Sequence, residues 1–231
     1  RVERAAGLLA HLTDPGGGWT AFEPTPDTRM VFVSSSQGDD ANDGLSPQQP
    51  LQTIANGFAQ LRNGHSDWLL LKRGDVWYEP IGGIGANKLK NGRSMEQPTL
   101  IASYGVDGPR PLLKLCDHRA GLSVGVNRPH AVQNLALVGI HFYDEKGDPN
   151  SPEFVKDRTK RVTGISWIGP GENLLVEDCR FQYLSGGAIQ GKSPSRPRLP
   201  EETLRNVRIR RCVVDHAWSS SGHCQGFFFN K

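Results

Sequence analysis

The densest run of reactive side chains is "DHAWSSSGHCQGFFFN", residues 215–230. It offers His216 and His223 as imidazoles, which change charge near neutral pH and serve as bases or metal ligands. Trp218 and Phe228 offer flat apolar faces, and Gln225 an amide with both donor and acceptor. Alternation along "GFFFN" turns Phe227 and Phe229 to one side and Phe228 to the other. Phe228 then stands outward beside the histidines as a stacking platform. Just upstream, "GKSPSRPRLP" carries Lys192, an amine suited to general-base work, and the cations Arg196 and Arg198, suited to holding a carboxylate. A third group is "GDDANDG", where Asp39, Asp40, Asn42 and Asp43 bring oxygen ligands that a hard cation such as calcium favours. Asx residues and glycine are equally the formers of a turn that caps a following helix.

Other chemistries are excluded. "GGIGANKLKNG" lacks the G-x-x-x-x-G-K-[ST] arrangement and its strand–helix setting, so it is no phosphate cradle. There is no G-x-S-x-G elbow and no H-E-x-x-H pair. Cys116, Cys179, Cys212 and Cys224 match no zinc spacing. "RIRR" at 208–211 reads as strand alternation, Ile209 inward and Arg208 outward, so no nucleic-acid partner is expected. The insertion "DEKGDPNSPEFVKDRTKR" balances five basic against five acidic residues and reads as a solvated overhang or the wall of a groove.

These groups must be positioned by a chain of 231 residues with net charge +3, 27 Gly and 16 Pro. That composition suits many turns and few long helices. The charge is too mild for a nucleic-acid partner, and no apolar run approaches the roughly 18 residues of a membrane span, so no membrane insertion is expected. Residues 1–28 form an N-terminal extension or cap, with "VERAAGLLAHL" helical until Pro15 and three glycines stop it. "RMVFVSSS" reads as a strand, and "LQTIANGFAQL" has apolar residues at helical spacing, with Gly57 an imperfection. "DWLLLKRGDVWYE", "PTLIASYG" and "PLLKL" continue as strands and turns.

From residue 121 the chain repeats itself. "NLALVGIHF", "NLLVEDCRF" and "NVRIRRCVV" share one phrase: Asn, two alternating apolar positions, a two-residue break, two more apolar positions. Glycine-led strands "GLSVGV", "GISWIG" and "GAIQG" alternate with them. The step from Gly164 to Gly187 is one solenoid turn, and the longer steps carry polar insertions at 144–162 and 192–203. Stacked coils place Ile140, Cys179 and Cys212 in one interior column, and Phe142, Phe181 and Val214 in another. Cys179 and Cys212 are thus expected as inward, reduced thiols. Asn134, Asn173 and Asn206 stack at a corner where an amide caps turn backbone. In "GAIQG" two registers stand open: Ala188 and Gln190 inward, or Ile189 inward with the strand shifted by one.

The stretch "VFVSSSQGDDANDGLSPQQPLQTIANGFAQL…DWLLLKRGDVWYE" resembles the opening segment of right-handed parallel β-helix proteins of the pectate-lyase-like superfamily. Its "D-x-N-D-G-x-S-P…P-x-x-T-I" loop, capping helix and strand ending in "R-G-x-x-Y-x-E" have their counterparts here, with Trp77-Tyr78-Glu79 supplying the last part. The fold this implies is an all-β, right-handed parallel β-helix with an N-terminal capping helix, over residues 29–231. The resemblance also implies a secreted or periplasmic carbohydrate-active protein, often calcium-dependent. The lyase chemistry of such proteins removes the proton beside a uronate carboxylate, with Lys or Arg as base and a cation neutralising the acid.

The expected function is cleavage of an acidic polysaccharide by β-elimination. Lys192, His223 or His216 acts as base, and Arg196, Arg198, Trp218, Gln225 and Phe228 hold substrate. A non-catalytic glycan-binding or adhesin-type module is the alternative. A glycoside hydrolase is the second, and needs Asp178 and Asp215 to face outward from neighbouring coils. The apolar strand "GFFFNK" leaves an open C-terminal end, where self-association or further chain is expected.

Overall fold

A computed structural model describes residues 2–82, 89–115, 118–124, 132–157, 159–192, 203–219 and 224–230. Helix α1 (Val2–Thr13) is followed by β1 (Met30–Val33), α2 (Ile54–Ala59), β2 (Trp68–Lys72), β3 (Val76–Trp77), β4 (Thr99–Tyr104), β5 (Leu112–Lys114) and β6 (Ala120–Val124). Then come β7 (Val132–Val138), β8 (His141–Tyr143), β9 (Thr163–Ile168), β10 (Gly171–Glu177), β11 (Arg180–Gln182), β12 (Gly187–Lys192), β13 (Leu204–Arg210), β14 (Val213–Asp215) and β15 (Phe227–Asn230). All pairings between them are parallel. The first sheet runs β1-β2-β4-β7-β10-β13, the second β3-β5-β8-β11-β14, and the third β6-β9-β12-β15. Each coil visits the three in turn, which makes a parallel β-helix. Among the described residues no helix is long and apolar enough to cross a membrane.

Register makes the interior columns. Val31, Leu69, Ile101, Leu137, Val176 and Ile209 stand in line across the first sheet. Trp77, Leu113, Phe142, Phe181 and Val214 do so across the second. Phe142 and Phe181 stack with centroids 5.1 Å apart and planes 4° from parallel. Ile140 and Cys179 are fully buried, and Cys212 packs partly buried against the same core, so the expected third column forms. Both cysteines are free thiols, as is Cys224; Cys116 lies outside the described residues.

Between β7 and β8 and its two successors the chain bends through Gly139, Asp178 and Arg211, all at positive φ. The bend puts Leu137 and Ile140 on the same interior side, as the broken alternation of the repeated phrase requires. Asn134, Asn173 and Asn206 also have positive φ, of 57°, 58° and 49°, a conformation that Asn tolerates better than most residues. Their amides form a chain. Asn206 Nδ2 donates to Asn173 Oδ1 at 2.6 Å, Asn173 Nδ2 to Asn134 Oδ1 at 2.8 Å, and Asn134 Nδ2 to the Gly92 carbonyl at 3.2 Å.

In the third sheet Ile189 pairs with Ile165 and Phe227, and Gln190 with Ser166 and Phe228. Ile189 is therefore inward and Gln190 outward, which settles the open register. Gly187 aligns with Thr163 rather than with Gly164, so the glycine-led alignment is corrected by one residue. The reason is steric. Gly121 and Gly164 face Phe142 and Phe181, and a Cβ there would come within 2.4 Å and 2.5 Å of the rings. Ala188, not Gly187, fills the next small position in the core.

The opening segment is structural throughout. Asp40 Oδ1 accepts the Gln52 and Thr53 amides at 2.9 Å, and Glu79 accepts those of Ile54 and Ala55 at 2.8 and 3.2 Å, so two carboxylates cap α2. Asp75 binds Ser34 and Ser36 through 2.6 Å hydroxyl bonds. Ile54, Phe58 and Leu61 close the N-terminal end of the core. Gly57 is a requirement, not an imperfection: a Cβ there would lie 2.5 Å from Val33 and 2.8 Å from Leu69.

Helix α1 lies outside the solenoid. Leu9, Leu12 and Phe22 form a second apolar cluster with Phe32, Trp68, Leu70, Leu100, Ala102, Tyr104, Ala136 and Val138 on the outer face of the first sheet. The arm after α1 continues to the last coil. Arg210 and Arg211 donate to the Gly18 carbonyl at 2.7 and 3.1 Å, and Arg211 lies over the Trp19 ring at 4.4 Å.

Candidate functional site

The groups expected to do chemistry are distributed as follows. Arg196, Arg198 and His223 lie outside the described residues. Lys192 is exposed at the last position of β12, in register with Ile168 and Asn230. Phe228 is outward on the same sheet, beside Gln190. His216 and Trp218 follow β14 on the connection to the start of β15, Trp218 with 64% of its surface exposed. The exposed Gln225 sits at that connection's far end, its carbonyl accepting the Ala188 amide at 3.3 Å. Lys192 closes β12 of the third sheet whereas His216 follows β14 of the second, so the two belong to different faces.

Asp39 and Asp43 each accept a backbone amide two residues ahead, at 2.9 and 2.8 Å, and Asn42 donates to the Pro50 carbonyl at 2.9 Å. With Asp40 on the helix cap, the four side chains serve their own turn rather than converging on one point. Among the described residues no three His, Cys, Asp or Glu side chains gather as a metal site. This donor set does not fit a calcium shell.

His216 leads to a different cluster, on the outer face of the second sheet. Successive coils place Leu112, His141, Arg180 and Val213 in one outward row and Lys114, Tyr143, Gln182 and Asp215 in the next. Arg180 Nη2 meets Asp215 Oδ2 at 2.8 Å, and His216 Nδ1 meets Asp215 Oδ1 at 2.5 Å. The His216 ring stacks on Tyr183 at 4.7 Å, and Tyr183 meets Tyr143 edge-on at 6.1 Å. Lys114 pairs with Glu145 at 2.8 Å and covers the exposed Tyr78 ring at 5.1 Å. The insertion after β8 is thus anchored to this face at its start, and Tyr143 Oη donates to Asp148 at 2.8 Å. Arg110 pairs with Asp178 at the upstream edge.

His141 sits inside this cluster, and the network sets its tautomer. The Asp215 carboxylate only accepts, so the Gln182 amide nitrogen faces it, at 3.3 Å. Gln182 Oε1 then faces His141 Nε2 at 3.1 Å, so Nε2 carries the proton and Nδ1 keeps its lone pair. Burial pushes the His141 pKa down to about 4, and the Arg180 and Arg110 guanidiniums push the same way. Asp215 is held below the usual carboxylate range, first by its hydrogen bond from Arg180. Arg180 Nε is buried without a hydrogen-bond partner. The arrangement is a neutral base flanked by cations, with aromatic faces alongside.

Sequence reasoning passed over His141, Arg180 and Arg110. The signal was present: His141 and Arg180 hold the same outward place in two copies of the repeated phrase, between two inward residues. Arg110 lies in a loop outside the repeat, and only the fold brings it near.

Fold and face together define a parallel β-helix with a polar, aromatic-flanked outer sheet. No protein-family model matches the chain, and no curated protein matches it. Solved structures do. The native GH136 lacto-N-biosidase from Eubacterium ramulus superposes with a TM-score of 0.59 at 19% identity, over 80% of this chain and 34% of that one. Its selenomethionine derivative gives 0.53 at 20% identity, over 81% and 34%. A rhamnogalacturonan lyase gives 0.41 at 14% identity, over 88% and 62%, and nothing rests on it. The chain spans about a third of the length of the lacto-N-biosidase structures. The shared feature is the β-helix itself.

Proposed function

We propose that the chain belongs to a carbohydrate-active protein that cleaves an acidic polysaccharide by β-elimination on the outer face of its second sheet. The observation that carries this reading is the neutral His141 between the guanidiniums of Arg180 and Arg110. β-Elimination needs a base that is unprotonated at working pH and positive charge beside the uronate carboxylate. His141 Nδ1 takes the proton next to the carboxylate, the electron pair forms the new carbon–carbon double bond, the bond to the leaving oxygen breaks, and the imidazolium returns the proton to that oxygen. Arg180 and Arg110 offset the charge that grows on the carboxylate. Tyr183, His216 and Tyr78 offer ring faces to neighbouring sugars. This assigns the base to His141 instead of Lys192 or His223. A polysaccharide substrate carries with it a secreted or periplasmic location.

Absorbance of unsaturated product from alginate, pectate and glycosaminoglycans tests the reading. His141→Ala is expected to lose about 100-fold or more in kcat, with Lys192→Ala near wild type. Full activity in His141→Ala would remove the assignment.

A second reading has its own support. Asp178 and Asp215 both face outward from neighbouring coils, with 28% and 29% of their side chains exposed, and the lacto-N-biosidases that share the fold are glycoside hydrolases by name. New reducing ends without unsaturated product, lost in Asp178→Asn and Asp215→Asn, would favour hydrolysis.

A further inference from the structure

The outer face of the first sheet carries an open groove that the reading above does not use. It is a cavity of about 550 Å³, within the roughly 300–1,000 Å³ of small-ligand sites. Its floor follows one outward row, Ala136, Leu175 and Arg208, flanked by Asn173 and Asn206 of the amide chain. Phe22, Pro24 and Pro26 of the N-terminal arm bound one side, and the loop from Met95 to Pro98 the other. The sides are clasped at one end by Arg93 Nη2 on Asp27 Oδ2 at 2.5 Å. Asn206 and Arg208 fix the loop to the floor through the Met95 sulfur, at 3.2 and 2.9 Å.

The row explains the opening. Along it the outward residues run Met30, Trp68, Leu100, Ala136, Leu175, Arg208. Early coils present apolar side chains, which α1 and Phe22 cover. Beyond Ala136 the cover parts, and the floor becomes half apolar and half polar.

The groove carries a slight negative charge. Its charged lining residues are Glu23, Glu96 and Arg208, one net negative, which disfavours a polyanion. Its other polar groups are amides and hydroxyls, and its apolar groups are flat or flexible: prolines, Leu175 and Met95. That combination matches a sugar ring, with C–H faces on the apolar groups and hydroxyls on carboxylate and amide oxygens. The floor is the face of a sheet, so an extended peptide finds no ladder to join there.

We infer that this groove binds a neutral oligosaccharide segment, separately from the cleavage face. The proposal names a different surface and a ligand of another charge class, and it stands or falls independently of the β-elimination reading.

Calorimetry on the intact protein with cellohexaose, xylohexaose and mannohexaose, and with oligogalacturonate as the acidic probe, tests it. At least one neutral probe is expected to bind with a Kd below about 1 mM. Glu23→Ala/Glu96→Ala, at exposed positions, should weaken that binding roughly tenfold by removing charged hydrogen-bond acceptors. The same double variant should keep its activity on acidic substrate. Leu175→Trp, which fills the floor, should abolish neutral binding. The inference is overturned if none of the neutral probes reaches that affinity, if neither variant changes it, or if oligogalacturonate competes for the groove.

Discussion

Asn173 and Asn206 are joined side chain to side chain across neighbouring coils at 2.6 Å, both with backbone in the left-handed region. The residue type therefore does two things at once: it accepts the turn and links the coils. Asn173→Gly keeps the turn and loses the amide, so it should cost about 1–2 kcal/mol in urea unfolding. Asn173→Val loses both and should cost about 3 kcal/mol or more. Equal losses in the two variants would mean that backbone strain plays no part.

His141 gives a pH signature. In the unfolded chain it takes up a proton near 6.5, whereas in the folded protein it does so near 4. Between these values the unfolded state binds more protons. The stability it contributes is fully present above pH 6.5 and is lost as the pH falls through that window. His11, lowered by burial and by Arg73, acts in the same direction. His141→Gln should lose less stability than wild type between pH 6.5 and 4, and the His141 ring resonances should titrate with a midpoint near 4. The acid limb of kcat/KM should fall near the same value.

Glu177 is almost wholly buried, its side chain 1% exposed, with Arg211 at 2.7 Å and Arg210 at 3.7 Å. Glu177→Ala leaves two guanidiniums without their anion beneath the N-terminal arm. It should cost about 3 kcal/mol, and limited proteolysis should cut residues 14–26 faster. An unchanged cleavage rate would show that α1 alone holds the arm.

The glycines of the third sheet should differ among themselves. Gly164→Ala meets the Phe181 ring at 2.5 Å and the Ala188 carbonyl at 2.6 Å, in the packed middle of the solenoid. It should cost about 2–3 kcal/mol. Gly191→Ala meets Phe229 at 2.2 Å, but that ring is 46% exposed and can swing aside. It should cost under about 1 kcal/mol.

The coils were legible in the sequence because their signal is local. Alternation, the two-residue break and the leading Asn each report on a backbone position within one phrase, and each finds its place in a column or a bend. The third-sheet register was not legible. It depends on which small residue faces Phe142 and Phe181, and that contact lies some twenty residues away in the chain. The "DDANDG" turn looked like a cation site because composition shows oxygen atoms but not the amides they will accept. The candidate site was the least visible. "DHAWSSSGHCQG" led to His216, yet the base at the centre of its cluster, His141, belongs to another coil. Gln182 and Asp215, which set its tautomer, are ordinary polar letters until the coils stack. The covering of the first sheet by α1 left its trace in Phe32, Trp68, Leu70 and Leu100, apolar residues on an outward face.

The contact between Gly18 and Arg211 has a consequence for how the molecule is made. On the ribosome the arm emerges 193 residues ahead of its anchor. Until then the outer wall built from Trp68, Leu70 and Leu100 has only the short helix to shield it, and the growing solenoid carries a greasy flank. The arm is therefore fastened down only after the coil that holds Arg211 has been made.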